Sequence, residues 1–181
     1  MMTDIPMVTS RFLDITLTEN ITEIRFKPDR SLTAGSERRA RQAVQIVRSA
    51  LKRLKSRRLH EDGEGITAQI VEASDVALER IVATIDHKLD DLGQEPLTAK
   101  MAEEILGITS RERVRWSKDG RLPNAGKASF RRGQNRINLF TYSPTAIAEL
   151  VADPEIIENW RTMDQTAPDH GAGARASNLT E

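Results

Sequence analysis

The sequence predicts a mainly α-helical protein, in which an antiparallel helical hairpin precedes a smaller unit of short helices and one two-stranded β-hairpin. Two observations predict this fold class. Apolar residues recur at spacings of three and four over residues 36–93, as they do in amphipathic helices. From residue 94 onward, short helical patterns with recognisable capping residues alternate with strand-like runs.

The composition favours a helix-rich chain with a modest core. Of the 181 residues, 30% are charged and 4% are aromatic. The 27 basic residues balance the 27 acidic ones, so only the local distribution of charge can indicate a partner. The chain contains no cysteine, which excludes disulfides and thiolate chemistry, and no apolar run reaches membrane-spanning length. We therefore expect a cytoplasmic protein.

The N-terminal segment, residues 1–35, contains the pattern of a short β-hairpin. Apolar and polar residues alternate from Leu13 to Leu17 and again from Ile24 to Phe26. A period of two predicts strands, but an isolated hairpin is only marginally stable in water. We expect this hairpin to require a partner surface.

Residues 36–93 are interpreted as two antiparallel helices joined by the glycine-containing loop 61–65. Between residues 37 and 58, nine Lys or Arg stand against one Glu, whereas residues 61–92 carry nine acidic residues and two basic ones. A second helix is expected from about Ile66 to Leu92. Complementary charges predict that the two helices fold back on each other, and an uncovered apolar flank predicts pairing with a second copy. This region is therefore expected to dimerise or to bind a partner protein.

Residues 94–163 begin with the local signals of two short helices joined by a turn. Thr98 can cap a helix over residues 99–106, and Thr109 with Glu112 forms a capping box for a second helix. Gly107 lies in the turn between them, which is the arrangement of a helix-turn-helix. Within the second helix, we expect Val114 to be buried and Trp116 to be at least partly covered.

A predicted β-hairpin follows these helices. Strand-like runs at 127–130 and 137–140 enclose a polar turn at Gly133, and a hairpin beside a helix-turn-helix is a wing. Ser143-Pro144 and Asp153-Pro154 then open two further helices. The tail, residues 164–181, has nothing to bury and is expected to be disordered.

The segment LTAKMAEEILGITSRERVRWSKDGRLP, with the basic hairpin and FTYSPTAIAEL after it, resembles the winged-helix domain of MerR-type regulators and phage excisionases. The resemblance covers about residues 97–150. Its pattern is carried by the start Leu97-Thr98, by Ala102, by the turn Leu106-Gly107, by Arg115-Trp116 and by the exit 120–123. MerR-type regulators carry this domain first and an effector domain after it, whereas here the domain lies C-terminal, and we predict no small-molecule effector. The resemblance implies binding of double-stranded DNA.

Local charge supports the same function. Residues 97–136 contain ten Lys or Arg against four Asp or Glu in a chain that is neutral as a whole. A basic helix suits the major groove, and a basic wing suits phosphates or the minor groove. The predicted DNA-binding residues are Ser110, Arg111, Glu112, Arg113, Arg115, Trp116, Lys118, Arg131, Arg132, Gln134, Asn135 and Arg136.

Within this set, the roles are expected to differ. Ser110, Arg111 and Glu112, at the start of the second helix, are the expected readers of base edges. By analogy with the family, Arg115 and Trp116 would lie at the phosphate backbone. Gln134 and Asn135 at the wing tip could add a hydrogen bond. For the basic residues of 37–58, pairing with the acidic helix is the favoured interpretation, and a second DNA surface is the alternative.

The leading hypothesis is therefore a sequence-specific, homodimeric, nucleoid-associated transcriptional regulator. The alternative is a non-catalytic adaptor or accessory protein of recombination, packaging or plasmid and phage maintenance, acting through its helical hairpin. His60, His87 and His170 are too far apart in sequence to suggest a metal site, and no nucleophile-base pair can be assembled. We predict no enzymatic activity, no cofactor and no metal.

Overall fold

The N-terminal half of the chain is built on a four-stranded antiparallel sheet. The computed structural model describes residues 8–18, 20–54, 57–71, 74–132 and 135–166. The strands follow the spatial order β1-β2-β4-β3. Their bounds are β1 Asp14–Thr18, β2 Ile21–Phe26, β3 Arg57–Glu61 and β4 Ile66–Val71. The sheet thus joins two hairpins side by side, through the central pair β2 and β4.

Three helices accompany this sheet: α1 Arg30–Thr33, α2 Glu37–Leu51 and α3 Asp75–Gln94. The apolar faces of α2 and α3 meet the alternate, inward residues of the strands in one core. Its fully covered members include Ile24, Ala43, Val47, Leu51, Ala68, Ile70, Ile85 and Leu89. Each of the two longer helices follows a hairpin, so the unit repeats one strand-strand-helix pattern twice.

The expected mainly α fold is therefore wrong. The described chain is mixed α/β, with seven strands in two antiparallel sheets, and it begins with strands instead of a helical hairpin. The expected second helix begins at Asp75, where Ser74 caps it, and residues 66–71 form a strand. In that strand Ile66, Ala68 and Ile70 are buried, a period of two that the sequence analysis assigned to a helix.

The glycine loop is the turn of a β-hairpin, and it does not join two helices. Asp62 accepts hydrogen bonds from the backbone N–H groups of Glu64 at 3.1 Å and Gly65 at 3.0 Å. Gly63 adopts a φ of +82°, in the left-handed region that favours glycine. At Gly65 a Cβ atom would lie 2.2 Å from the carbonyl oxygen of Phe26, so only glycine allows β2 and β4 to approach at this end.

The sheet also covers the apolar flank of the helices in residues 36–93. A second copy of the chain was expected to cover that flank. The alternation at 13–18 and 21–26 corresponds to β1 and β2, which form an antiparallel hairpin. The partner surface of this hairpin is β4 together with the helices above the sheet. Because the sheet buries the helices within one chain, an uncovered apolar flank is no longer a reason to expect pairing with a second copy.

The C-terminal half forms a second unit around its own core. Its elements are β5 Leu97–Thr98, α4 Ala99–Leu106, α5 Ser110–Lys118, β6 Gly126–Arg132, β7 Asn135–Tyr142, α6 Pro144–Ala152 and α7 Pro154–Thr166. The three strands pair in the order β5-β7-β6. The core contains Leu97, Ala102, Trp116, Leu122, Tyr142 and Ile147, each with no exposed surface. Strand β5 was not expected, since two residues carry no pattern of their own.

The two units meet at the loop after α1 and at the end of α3. Ala34 belongs to the core of the second unit. Arg39 is 1% exposed, and its Nη2 donates a hydrogen bond to the carbonyl oxygen of Glu95. Burial lowers the pKa of Arg39, and its Nη1 has no partner among the described residues. This buried guanidinium ties the start of α2 to the connection between the units.

No helix within the described ranges is both long enough and apolar enough to cross a membrane.

Candidate nucleic-acid interface

The short helices α4 and α5 are joined by a three-residue turn that starts at Gly107. Gly107 has a φ of +61°, the left-handed conformation that ends a helix. Thr109 then caps α5, and its capping box with Glu112 is complete: the Thr109 side chain accepts from the Glu112 N–H at 3.2 Å, and Glu112 accepts from the Thr109 N–H at 2.6 Å. Helix α4 begins at residue 99, as expected, and α5 begins at Ser110, directly after its Thr109 cap.

Helix α5 presents two chemically different faces. Trp116 and Ser117 are buried against the rest of the unit. Ser110, Arg111, Val114, Arg115 and Lys118 are exposed and line one side of a shallow groove beside the C-terminal end of α7. The spacing of Arg111, Arg115 and Lys118 places three cations on a single outward row.

Trp116 lies in the core and cannot contact a ligand. It has no exposed surface, and its ring packs edge-on against Trp160, with ring centroids 5.0 Å apart. Its Nε1 donates a hydrogen bond to the Asp164 carboxylate at 2.9 Å. Val114, which was expected to be buried, is 39% exposed. The expected burial of Val114 is therefore wrong, whereas Trp116 is covered as expected and its predicted contact with DNA is not available.

Arg113 also points inward, which removes it from the predicted contact set. Its side chain is 13% exposed, and its Nε lies 2.7 Å from Glu103 Oε1 on α4. Its Nη1 donates to the hydroxyl of Tyr142 at 3.1 Å, and that hydroxyl shares a hydrogen bond of 2.9 Å with Ser117. Burial alone would raise the pKa of Glu103, but hydrogen bonds from Arg113 and Ser110 outweigh it and lower the pKa. Arg113 thus holds α4, α5 and β7 together.

Glu112 is engaged in the turn and is not a free reader of bases. Its Oε1 accepts from Nε of Arg161 on α7 at 2.9 Å, while its other oxygen completes the capping box. Nη2 of Arg161 also donates to the carbonyl oxygen of Gly107 at 2.9 Å. Burial opposes ionisation of Glu112, yet the bonds from Thr109 and Arg161 lower its pKa. This pair fixes where α5 begins.

Asp164 anchors the last helix, although the sequence placed it in the tail that was expected to be disordered. Besides Trp116, its carboxylate accepts from Arg121 at 2.7 Å and lies 3.1 Å from Nη1 of Arg115. Burial works against its ionisation, but the hydrogen bonds from Arg121, Trp116 and Arg115 lower its pKa. Helix α7 continues through Thr166, so residues 164–166 are ordered; residues 167–181 of the expected tail lie outside the described residues.

The outward cations of α5 differ in how far they are engaged. Arg115 pairs with Asp164 but remains 60% exposed. Arg111 and Lys118 are exposed and form no ion pair with any residue in the described part of the chain. Arg111 is therefore not turned into the protein's own acidic surface, whereas Arg115 is partly engaged by that surface through Asp164.

The predicted wing corresponds to the hairpin of β6 and β7. Backbone pairing places Arg131 opposite Arg136 and Arg132 opposite Asn135. Gln134, together with Gly133, lies outside the described residues. Nearer the body of the unit, Nζ of Lys127 lies 5.2 Å from the ring centroid of Phe140, which adds a cation to the same hairpin.

No protein-family model matches this chain, and neither curated proteins nor solved structures give a match.

Proposed function

We propose that residues 97–150 form a winged helix-turn-helix that binds double-stranded DNA. The observation that carries the proposal is the outward row of Arg111, Arg115 and Lys118 on α5. In this proposal α5 enters the major groove, and the hairpin of β6 and β7 contacts the phosphate backbone. The resemblance of the segment to MerR-type and excisionase domains supports the same assignment.

The proposed contacts are a reduced form of the set that the sequence suggested. Arg111, at the exposed start of α5, would read base edges, because arginine pairs with guanine through two hydrogen bonds. Ser110 would lie beside it at the bases, although its side chain also hydrogen-bonds Glu103. Arg115 and Lys118 would contact phosphates, as would Arg131, Arg132 and Arg136 on the wing, with Asn135 and Gln134 at its tip. Glu112, Arg113 and Trp116 would act only by holding α5 in place, since their contacts are internal.

The biological role that we propose is a transcriptional regulator. The adaptor alternative depended on a helical hairpin that the fold does not contain, and no contact among the described residues favours it. Self-association through residues 36–93 stays a prediction, although the sheet now covers the flank that suggested it. Light scattering on the purified full chain would decide it, with a mass of about twice 20.3 kDa expected for the dimer and the monomer mass contradicting it.

The test of DNA binding is selection from a random duplex pool with the full chain, followed by titration of the selected site. We expect a site to be enriched and the affinity to fall steeply with salt, because each phosphate contact releases counterions. The variant Arg111→Gln should weaken the selected complex. Arg80→Gln, a substitution of an exposed arginine on α3, is the matched control. The absence of an enriched site, or equal binding by both variants, would refute the proposal.

A further inference from the structure

Helix α2 carries a row of polar and basic side chains on the face opposite the core. Arg38, Arg41, Gln45, Arg48 and Lys52 follow one another at spacings of three and four residues. With 3.6 residues per turn, these five positions fall within an arc of roughly 80°. The buried positions of α2, among them Arg39, Ala43, Val47 and Ala50, lie on the opposite arc and pack toward the sheet. The row therefore points away from the sheet, although Arg41 and Gln45 line a cavity that also includes Glu61 and Glu64 of the 61–65 turn.

The acidic residues of α3 do not neutralise this row, in contrast to the sequence expectation. Asp86 accepts hydrogen bonds from Ser10 Oγ and from the Arg11 N–H, and Asp90 pairs with the Arg11 side chain. Within the described ranges, no ion pair joins α2 to α3. The segment that precedes β1 therefore engages two of the α3 carboxylates, whereas Asp91 lines a groove with Gln42 and Gln45 of α2.

Two of the four cations in the row have carboxylate partners, and two have none among the described residues. Arg48 pairs with Glu61 on β3, and Arg41 lies 3.5 Å from Glu37 in a fully exposed pair of the kind that contributes little. Arg38 and Lys52 are exposed and have no ion-pair partner in the part of the chain that the structure describes.

We propose that the basic row of α2 is a second phosphate-contacting surface, which binds the backbone of the same duplex as α5. This inference rests on the proposed DNA-binding function and extends its footprint. From Arg38 to Lys52 the row spans 14 residues, or about 21 Å of helix, which equals the rise of roughly six base pairs. The four cations of the row would contact phosphate oxygens, which carry no sequence information, and Gln45 can donate its amide N–H to a phosphate oxygen.

The joint between the two units supports a common ligand. Ala34, five residues before Arg39, packs in the core of the α4–α5 unit, and Arg39 donates to the Glu95 carbonyl. These contacts place the Arg38 end of the row beside that unit and hold it there. In the proposal, the duplex that docks on α5 continues along α2, so that the N-terminal unit adds affinity without sequence preference.

The experiment compares the salt dependence of binding by full-length variants, using fluorescence anisotropy on the selected duplex. The double variant Arg38→Gln, Lys52→Gln should lower the magnitude of the slope of log K against log salt by about 1.8, at 0.9 for each lost phosphate contact. The double variant Arg80→Gln, Lys88→Gln removes two exposed cations from α3 and should leave the slope unchanged. The charge-preserving pair Arg38→Lys, Lys52→Arg should retain the wild-type slope and guards against an effect on folding.

The possible results separate the two proposals. Equal slopes for the α2 and α3 double variants, with weakened binding by Arg111→Gln, would overturn the second surface and leave the DNA-binding proposal intact. A wild-type chain that binds no duplex would overturn both. The second surface would also be overturned if the charge-preserving pair lowered the magnitude of the slope as much as the Gln variants do. The decrease would then result from altered structure and not from the loss of positive charge.

Discussion

The carboxylate of Asp164 accepts a hydrogen bond from the indole Nε1 of Trp116 at 2.9 Å, which joins the end of the last helix to the buried face of α5. Arg115 and Arg121 converge on the same carboxylate. One side chain near the end of the described chain therefore positions the helix that we propose for the major groove.

Removing this carboxylate should loosen the C-terminal unit. Asp164→Ala leaves the Trp116 N–H buried without an acceptor, and an unsatisfied buried donor costs about 1–3 kcal/mol. We expect a corresponding decrease in the free energy of unfolding, measured by urea denaturation. Glu158→Ala removes the exposed partner of Arg161 on the same helix and serves as the control, with a much smaller effect. Equal losses from the two variants would contradict an anchoring role for Asp164.

Acid should weaken the contacts that hold α5. The pKa values of Glu103 and Glu112 are lowered from 4.5, and that of Asp164 is lowered from 3.8, by hydrogen bonds that outweigh burial. Because these groups are more acidic in the folded state, their stabilisation is complete well above 4.5 and is lost as the pH falls through the lowered values.

Urea denaturation across that acidic range would test this dependence. The double variant Glu103→Gln, Glu112→Gln should be less stable than the wild type at neutral pH, and the difference should shrink as the pH falls below the ordinary carboxylate range. A difference that stays constant with pH would show that the two carboxylates do not stabilise the fold through their charge.

Trp116 should behave as a core residue and not as a DNA contact. Trp116→Ala should destabilise the chain by about 3–5 kcal/mol, the usual result of removing a large buried aromatic residue. Trp116→Phe retains most of the volume and should give a folded protein whose affinity for the selected duplex is close to that of the wild type. Unchanged stability with a large loss of affinity in either variant would instead assign Trp116 to the interface.

Arg111 and Arg132 should differ in how they affect binding. Arg111→Ala should narrow the difference in affinity between the selected site and unrelated duplexes, because it removes a base contact. Arg132→Ala should lower the affinity for all duplexes alike, since a phosphate contact carries no sequence information. Titration of both variants on both duplexes measures this, and the same pattern from the two variants would refute the division of roles.

Local signals made the helix starts predictable. The capping box of Thr109 and Glu112, the Thr98 cap and the Ser143-Pro144 start involve residues within three positions of each other, so chain neighbours alone determine them. The alternation at 13–18 likewise indicated a strand without reference to the rest of the fold. The predictable features are those whose hydrogen bonds close over a few residues.

The strand β4 was not predictable in this way. Ile66, Ala68 and Ile70 fit a strand, but the apolar residues that follow continue a helical spacing, and the sequence analysis extended the helix back to residue 66. Pairing with β2, in which Ile24 lies opposite Ala68, decides the conformation. That pairing joins residues 44 positions apart, and no local pattern reports it.

The sequence by itself determined where the short helices begin, where glycine ends them, and that the basic residues concentrate in α2 and in the α5 region. Only the tertiary structure decided which of those cations remain available. Arg113 is covered by Glu103 and Tyr142, and Trp116 by Trp160 and Asp164, whereas Arg111 and Arg38 are exposed. The reason is physical: the direction of a side chain on a helix depends on which neighbouring elements bury it, and those elements come from distant parts of the chain.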